Sequence, residues 1–179
     1  MLKKVIAVDS ANVEHYAKSR GLPYFPVDKL RKVVCGEDGS VDVLETLVTV
    51  VKRIPETDSP EDIAANQELY DRKVYALEMN GAKVIECPAK RSANSQNGFK
   101  QSDDFRLMVA CLLTCMKLKP DYLVLVGGDG DYRAMVEGLR GEGIRTEVVA
   151  SKCQLASDLK RVCVNVIDLD DILAAIEDL

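Results

Sequence analysis

Tryptophan is missing from this 179-residue chain, and histidine occurs once, at His15. The cysteines stand at positions 35, 87, 111, 115, 153 and 163; no two have C-x-x-C spacing, and the histidine lies far from them. Those absences exclude the usual ligand spacings of a structural zinc site. Aromatic residues make up only 5% of the chain, so platforms on which bases could stack are sparse. No G-x-G-x-x-G follows the first apolar stretch and no P-loop occurs, which removes the common backbone cradles for nucleotide phosphates. No apolar run is long enough to span a membrane; the longest, Leu107 to Met116, is broken by Thr114. Internal repeats and low-complexity tails are absent too. Positive charge is in short supply: 24 basic against 29 acidic residues leave a net charge of -5. That balance argues against a surface coated in nucleic acid but leaves room for a local basic groove.

What is present is an ordinary globular composition, 47% hydrophobic and 30% charged. The length suffices for one domain with a real core, and no linker divides it, so residues 1–179 are expected to form a single domain. The opening MLKKVIAVDS has too short an apolar stretch after its lysines for a signal peptide. Cys111 and Cys115 fall in an apolar helical run and read as core thiols, a usage that suits a reducing cytosol. A cytoplasmic protein without a membrane partner is the expectation.

Along the chain, strands alternate with helices. Strands are predicted at Lys4 to Val8, Thr46 to Lys52, Lys83 to Cys87, Tyr122 to Val126, Arg145 to Val149 and Val164 to Ile167. Val41 to Ile54 is ambiguous as a whole, and its β-branched part, Thr46 to Lys52, is the part read as strand. Helices are predicted at Val13 to Ser19, Val27 to Val34, Asp62 to Asn80, Lys100 to Lys117, Tyr132 to Gly141, Ser157 to Val162 and Asp170 to Leu179. The Lys100 to Lys117 helix is apolar nearly all round and should be well buried. Pro88 closes a strand, and Ala89 to Gly98 reads as a polar, mobile loop. This alternation predicts a parallel sheet covered on both faces.

Acids recur at one edge of that sheet. Asp9 follows the first strand, with Asn12 close behind. Asp129 and Asp131 follow the apolar run Tyr122 to Val126 in the turn Gly127-Gly128-Asp129-Gly130-Asp131. Asp103 opens a helix whose start belongs at the same edge, and Asp104 stands beside it. Asp131 sits where a helix cap belongs, whereas Asp129 has no evident structural task. Ligands bind at the carboxyl ends of strands in open α/β sheets. Clustered carboxylates repel one another, and a hard divalent cation relieves the repulsion; oxygen-only ligands suit Mg²⁺ or Mn²⁺. Taken singly, each acid is as well explained by turn and capping chemistry. Together they point to a site, and the pattern alone would also fit a phosphatase or a receiver-type acidic pocket.

Three motifs sharpen this. VDSANV at Val8 to Val13, K-x-x-D at Lys100 to Asp103 and LVGGDGDY at Leu125 to Tyr132 together resemble the NYN domain, a branch of the PIN-like nuclease superfamily. The similarity runs through nearly the whole chain in order. It implies a PIN-like three-layer α/β/α sandwich with a mostly parallel central sheet. It further implies a metal-dependent endoribonuclease in which Asp9, Asp103, Asp129 and Asp131 hold Mg²⁺ or Mn²⁺ and Asn12 supports them by hydrogen bonding. The chain departs from the family pattern at Gly127, where Ser or Thr is usual; a missing hydroxyl there would loosen the turn or remove a hydrogen bond.

The implied partner is RNA, single-stranded, and a homo-oligomer is left open. Candidate phosphate contacts are Lys100, Arg133, Lys90 and Arg91, with Arg106 near them and Lys18 and Arg20 as weaker choices. Tyr132 is the one aromatic placed to stack a base, and His15 is given no catalytic role. The alternative reading is a non-catalytic RNA-binding or protein-interaction module of the same fold.

Overall fold

Side chains alternate across the central strands and so build two cores, one on each face of a single sheet. The computed structural model describes residues 1–22, 24–36, 39–53, 59–91, 99–100 and 103–177. In chain order the elements are β1 (Leu2–Val8), α1 (Ser10–Ser19), α2 (Val27–Cys35), β2 (Val41–Arg53), α3 (Pro60–Met79), β3 (Lys83–Arg91), β4 (Phe99–Lys100) and α4 (Asp103–Leu118). They continue with β5 (Tyr122–Val126), a 3₁₀ turn (Gly130–Tyr132), α5 (Arg133–Gly141), β6 (Arg145–Ala150), α6 (Ser157–Val162), β7 (Asn165–Asp168) and α7 (Leu169–Glu177).

The described strands form one sheet in the order β4-β3-β2-β1-β5-β6-β7. Six of them are parallel and only β4 runs antiparallel, against β3. Ile6, Val8, Val124 and Val126 face one core with α1, α2 and α7. Val5, Ala7, Leu123 and Leu125 face the other with α4, α5 and α6. The period of two along each strand is what covers both faces. Each fully buried Leu or Val contributes about 1.5–3 kcal/mol by leaving water. The result is the three-layer α/β/α sandwich with a parallel centre that the sequence implies. Among the described residues no helix is long and apolar enough to cross a membrane.

Three of the boundaries that differ from expectation do so for a reason of pairing. The ambiguous Val41 to Glu45 belongs to β2, because the first part of that strand pairs with β1 and the last part with β3. Pro88 does not close β3; the strand continues to Arg91, and residues 89–91, expected in a loop, are extended. Among the described residues β3 meets β4 at Lys90 and Arg91, which leaves Pro88 paired to β2 alone, the kind of edge position where a strand tolerates proline. Lys100 lies in β4, and α4 begins at Asp103. The rest of the expected loop, residues 92–98, lies outside the described residues.

The helix α4 is not buried all round. Leu107, Cys111 and Cys115 pack on the sheet, as core thiols should, while Phe105, Val109, Leu112, Leu113 and Met116 are exposed. Only one side of a helix can meet a sheet, and apolar residues on the opposite side stay in water.

Candidate metal centre

The sheet order positions the site. From β1 the chain passes to β2 on one side, whereas from β5 it passes to β6 on the other. Connections diverging from neighbouring strands leave a crevice at their carboxyl ends, where open α/β sheets take ligands. Asp9 stands at the end of β1, its backbone N–H donating to the Val126 carbonyl of β5 at 3.0 Å.

Asp9 is the N-cap of α1: its Oδ1 accepts from the Asn12 backbone N–H at 3.2 Å. Asn12 therefore supports the acid through its backbone. Next door, the Ser10 N–H donates to Thr49 Oγ1 at 3.0 Å, and Thr49 Oγ1 donates to the Val8 carbonyl at 3.3 Å. The Ser10 hydroxyl also donates to the Thr49 carbonyl. Thr49, on β2, thus fastens the junction that carries Asp9.

One carboxylate oxygen from each of Asp9, Asp103 and Asp104 lies within 4.8 Å of the others. Asp9 is 3% and Asp103 5% exposed, and Asp104 is half-buried. Among the described residues no cation pairs with any of them. Burial raises the Asp9 carboxyl to about 6, with the charges of Asp104 and Asp103 adding to it and the Asn12 N–H and the Tyr132 hydroxyl opposing it. Burial likewise pushes Asp104 up, helped by the charges of Asp103, Asp129 and Asp131 and opposed by the Tyr132 hydrogen bond. Buried carboxylates without a counter-charge, offering only hard oxygen donors, match what a small divalent cation needs.

The acidic turn after β5 differs in its details from the sequence reading. Asp129, not Asp131, is the cap: its Oδ1 accepts from the Asp131 N–H at 3.0 Å. The 3₁₀ turn starts at Gly130, so the capping position falls one residue before it. Both acids are exposed, and both sit within electrostatic reach of Asp104. Gly127 has φ +154°, and a Cβ there would come within 3.1 Å of the Asp9 Cβ. A side chain at that position would be strained and would press on Asp9, which would have to give by a few tenths of an ångström.

Tyr132 is no stacking platform. Its ring is 0% exposed, and its hydroxyl lies 3.0 Å from Asp9 Oδ2 and 3.1 Å from Asp104 Oδ1. Of the basic candidates, Arg133 is engaged by Glu137 at 3.0 Å, and Arg106 donates to the Glu86 carbonyl at 3.0 Å. Arg20 pairs with Asp170; Lys18 and His15 are exposed on α1. The backbone register sets Lys90 opposite Lys100 and Arg91 opposite Phe99, just before α4; the side chains of Lys90, Arg91 and Lys100 lie outside the described residues. Sequence reasoning set Asp104 beside the motif position, as a competitor to Asp103, and missed Thr49 and the Tyr132 hydroxyl. The adjacency of Tyr132 to the acidic turn was the only signal for the last.

Fold and site together define an α/β protein with a buried carboxylate centre at the switch point of a parallel sheet. The model of the NYN domain, a nuclease-type fold, matches residues 4–170, and the chain belongs to that family. A solved protein of unknown function from Vibrio parahaemolyticus RIMD 2210633 has the same fold, with a TM-score of 0.66 and 20% identity over 96% of this chain and 94% of that one. No curated protein matches the chain in sequence.

Proposed function

We propose that this protein is a metal-dependent endoribonuclease that hydrolyses phosphodiester bonds of single-stranded RNA with Mg²⁺ or Mn²⁺. The observation that carries this reading is the carboxylate trio of buried Asp9 and Asp103 with half-buried Asp104 at the sheet's switch point, in a chain of a nuclease-type family. When bound, the cation supplies positive charge to a phosphodiester and acidifies water in its shell. Asp9, Asp103 and Asp104 hold it. Asp129 and Asp131, exposed in the turn after β5, would orient water toward the phosphate. The basic residues of the β3–β4 pair, Lys90, Arg91 and Lys100, together with Arg133, are assigned to RNA phosphates, an attraction that weakens with added salt.

The test is cleavage of a fluorescent single-stranded RNA with and without Mn²⁺, with Asp9→Asn as control. Asn is as good an N-cap as Asp, so the variant keeps the start of α1 while it removes the charge and the second acceptor oxygen, the one that faces the Tyr132 hydroxyl. Cleavage that requires the metal and falls by at least about 100-fold in Asp9→Asn is the expected outcome. Metal-independent cleavage, or full activity in the variant, would sink the assignment. A second reading, a non-catalytic protein-interaction module, is favoured by the exposed apolar residues of α4. Folded protein that never cleaves RNA would move the weight there.

A further inference from the structure

We propose that the Tyr132 hydroxyl is a positioning group that holds Asp9 and Asp104 at the spacing a divalent cation requires, and so sets the affinity of the centre. This rests on reading the acidic trio as a metal centre. The geometry behind it is specific. The tyrosine ring is enclosed in the core formed by α4, α5 and the sheet, beside Leu107, Met135 and Leu139. A ring so enclosed cannot swing, and its oxygen is therefore a fixed point. That fixed oxygen stands 3.0 Å from Asp9, between β1 and α1, and 3.1 Å from Asp104 of α4, and among the described residues no other side-chain hydrogen bond links these two acids.

The two acids depend on this hydroxyl unequally. Asp9 is also anchored by the Asn12 N–H. Asp104, half-buried at the start of α4, has its one hydrogen bond among the described residues to Tyr132. Without the hydroxyl, Asp104 is free to turn toward water, away from Asp9. A phenol carries a single proton, so two ionised carboxylates cannot both receive a full hydrogen bond from it. The metal-free cluster is held together with no cation paired to it among the described residues, which is the condition of a preorganised cation site. Groups that orient metal ligands typically account for 10–100-fold in metal affinity.

Tyr132→Phe keeps the ring and its packing and removes only the oxygen. The experiment is Mn²⁺ titration of the full chain, followed by electron paramagnetic resonance of free Mn²⁺ and by near-ultraviolet difference absorbance. With no tryptophan in the chain, the near-ultraviolet band reports tyrosine. Wild type is expected to bind Mn²⁺ with a tyrosine difference signal. Tyr132→Phe is expected to bind about 10–100-fold more weakly and to lose the signal, while its far-ultraviolet circular dichroism stays unchanged. In an Asp104→Asn background, adding Tyr132→Phe should cost little more, because the hydroxyl acts through Asp104.

Unchanged affinity in Tyr132→Phe overturns the positioning role and leaves the metal-centre reading standing. Full additivity with Asp104→Asn also overturns it, since a general packing effect would add. Should Tyr132→Phe not fold, the wild-type difference signal decides alone: its absence during Mn²⁺ binding overturns the proposal. Wild type that binds no cation at all overturns the metal-centre reading and the role of Tyr132 with it.

Discussion

At the scale of single residues, Asp9 shows how one position serves fold and chemistry together. It caps α1 and so belongs to the scaffold, yet it is buried with two other acids and no described cation. Its folded carboxyl is raised to about 6 from an ordinary value of 3.8. The metal-free native state therefore holds a proton that the unfolded chain has already released, and stability falls as pH rises from about 4 to about 6. The loss attributable to Asp9 is on the order of 2–3 kcal/mol. Urea unfolding of metal-free wild type and Asp9→Asn at pH 4 and pH 7 checks this. Asn mimics the protonated acid, so wild type should fall behind the variant at pH 7 and match it more closely at pH 4. A gap that widens toward acid would contradict the sign. Residue chemistry of this kind was partly open to sequence reading: Asp after an apolar strand is visible in the letters. Which of two neighbouring acids caps a turn is not, and the cap is Asp129 in place of Asp131 because the turn begins two residues earlier than periodicity suggests.

At the scale of elements, the turn between β5 and α5 is held by close backbone approach. A Cβ at Gly128 would lie 2.6 Å from the Gln154 carbonyl oxygen, which is backbone and cannot swing aside. The Gly128 carbonyl in turn accepts from the Ala156 N–H at 2.9 Å. Gly128→Ala is expected to destabilise the protein by about 1–3 kcal/mol through forced backbone shifts. Gly138, inside α5, has nothing within 4 Å of its would-be Cβ, and Gly138→Ala is expected to stabilise by up to about 1 kcal/mol from helix propensity alone. Urea midpoints of the two variants should move in opposite directions; movement in the same direction would show that the turn yields. The sequence places one glycine in a turn and the other in a helix, but only the neighbours brought in by folding show which of them has room for a side chain. The same holds for α4. Its letters are apolar on two sides, but the sheet takes one side, leaving Phe105 at 66% and Leu113 at 68% exposure.

At the scale of the whole molecule, the site exists because β1 and β5 are neighbours although more than a hundred residues separate them in the chain. The centre is therefore a sensor of global folding, and a cation bound there stabilises only the native state. With free Mn²⁺ at 100 times its dissociation constant, thermal or urea unfolding should show about 2.7 kcal/mol of added stability in wild type, and little in Asp9→Asn. An unchanged wild-type midpoint would remove the metal from the account.

The period-two strands, the strand-helix alternation and the acids placed after strand ends were determined by sequence alone, because they follow from local side-chain chemistry repeated along the chain. Parallel layering and the family motifs were legible for that reason. The membership of Asp104, the anchoring by Thr49, the hydroxyl of Tyr132 between two carboxylates and the crowding at Gly127 were decided only by tertiary structure. Each depends on distances between atoms from different elements, and those distances are set when two helical layers close on one sheet, not by any stretch of sequence taken by itself.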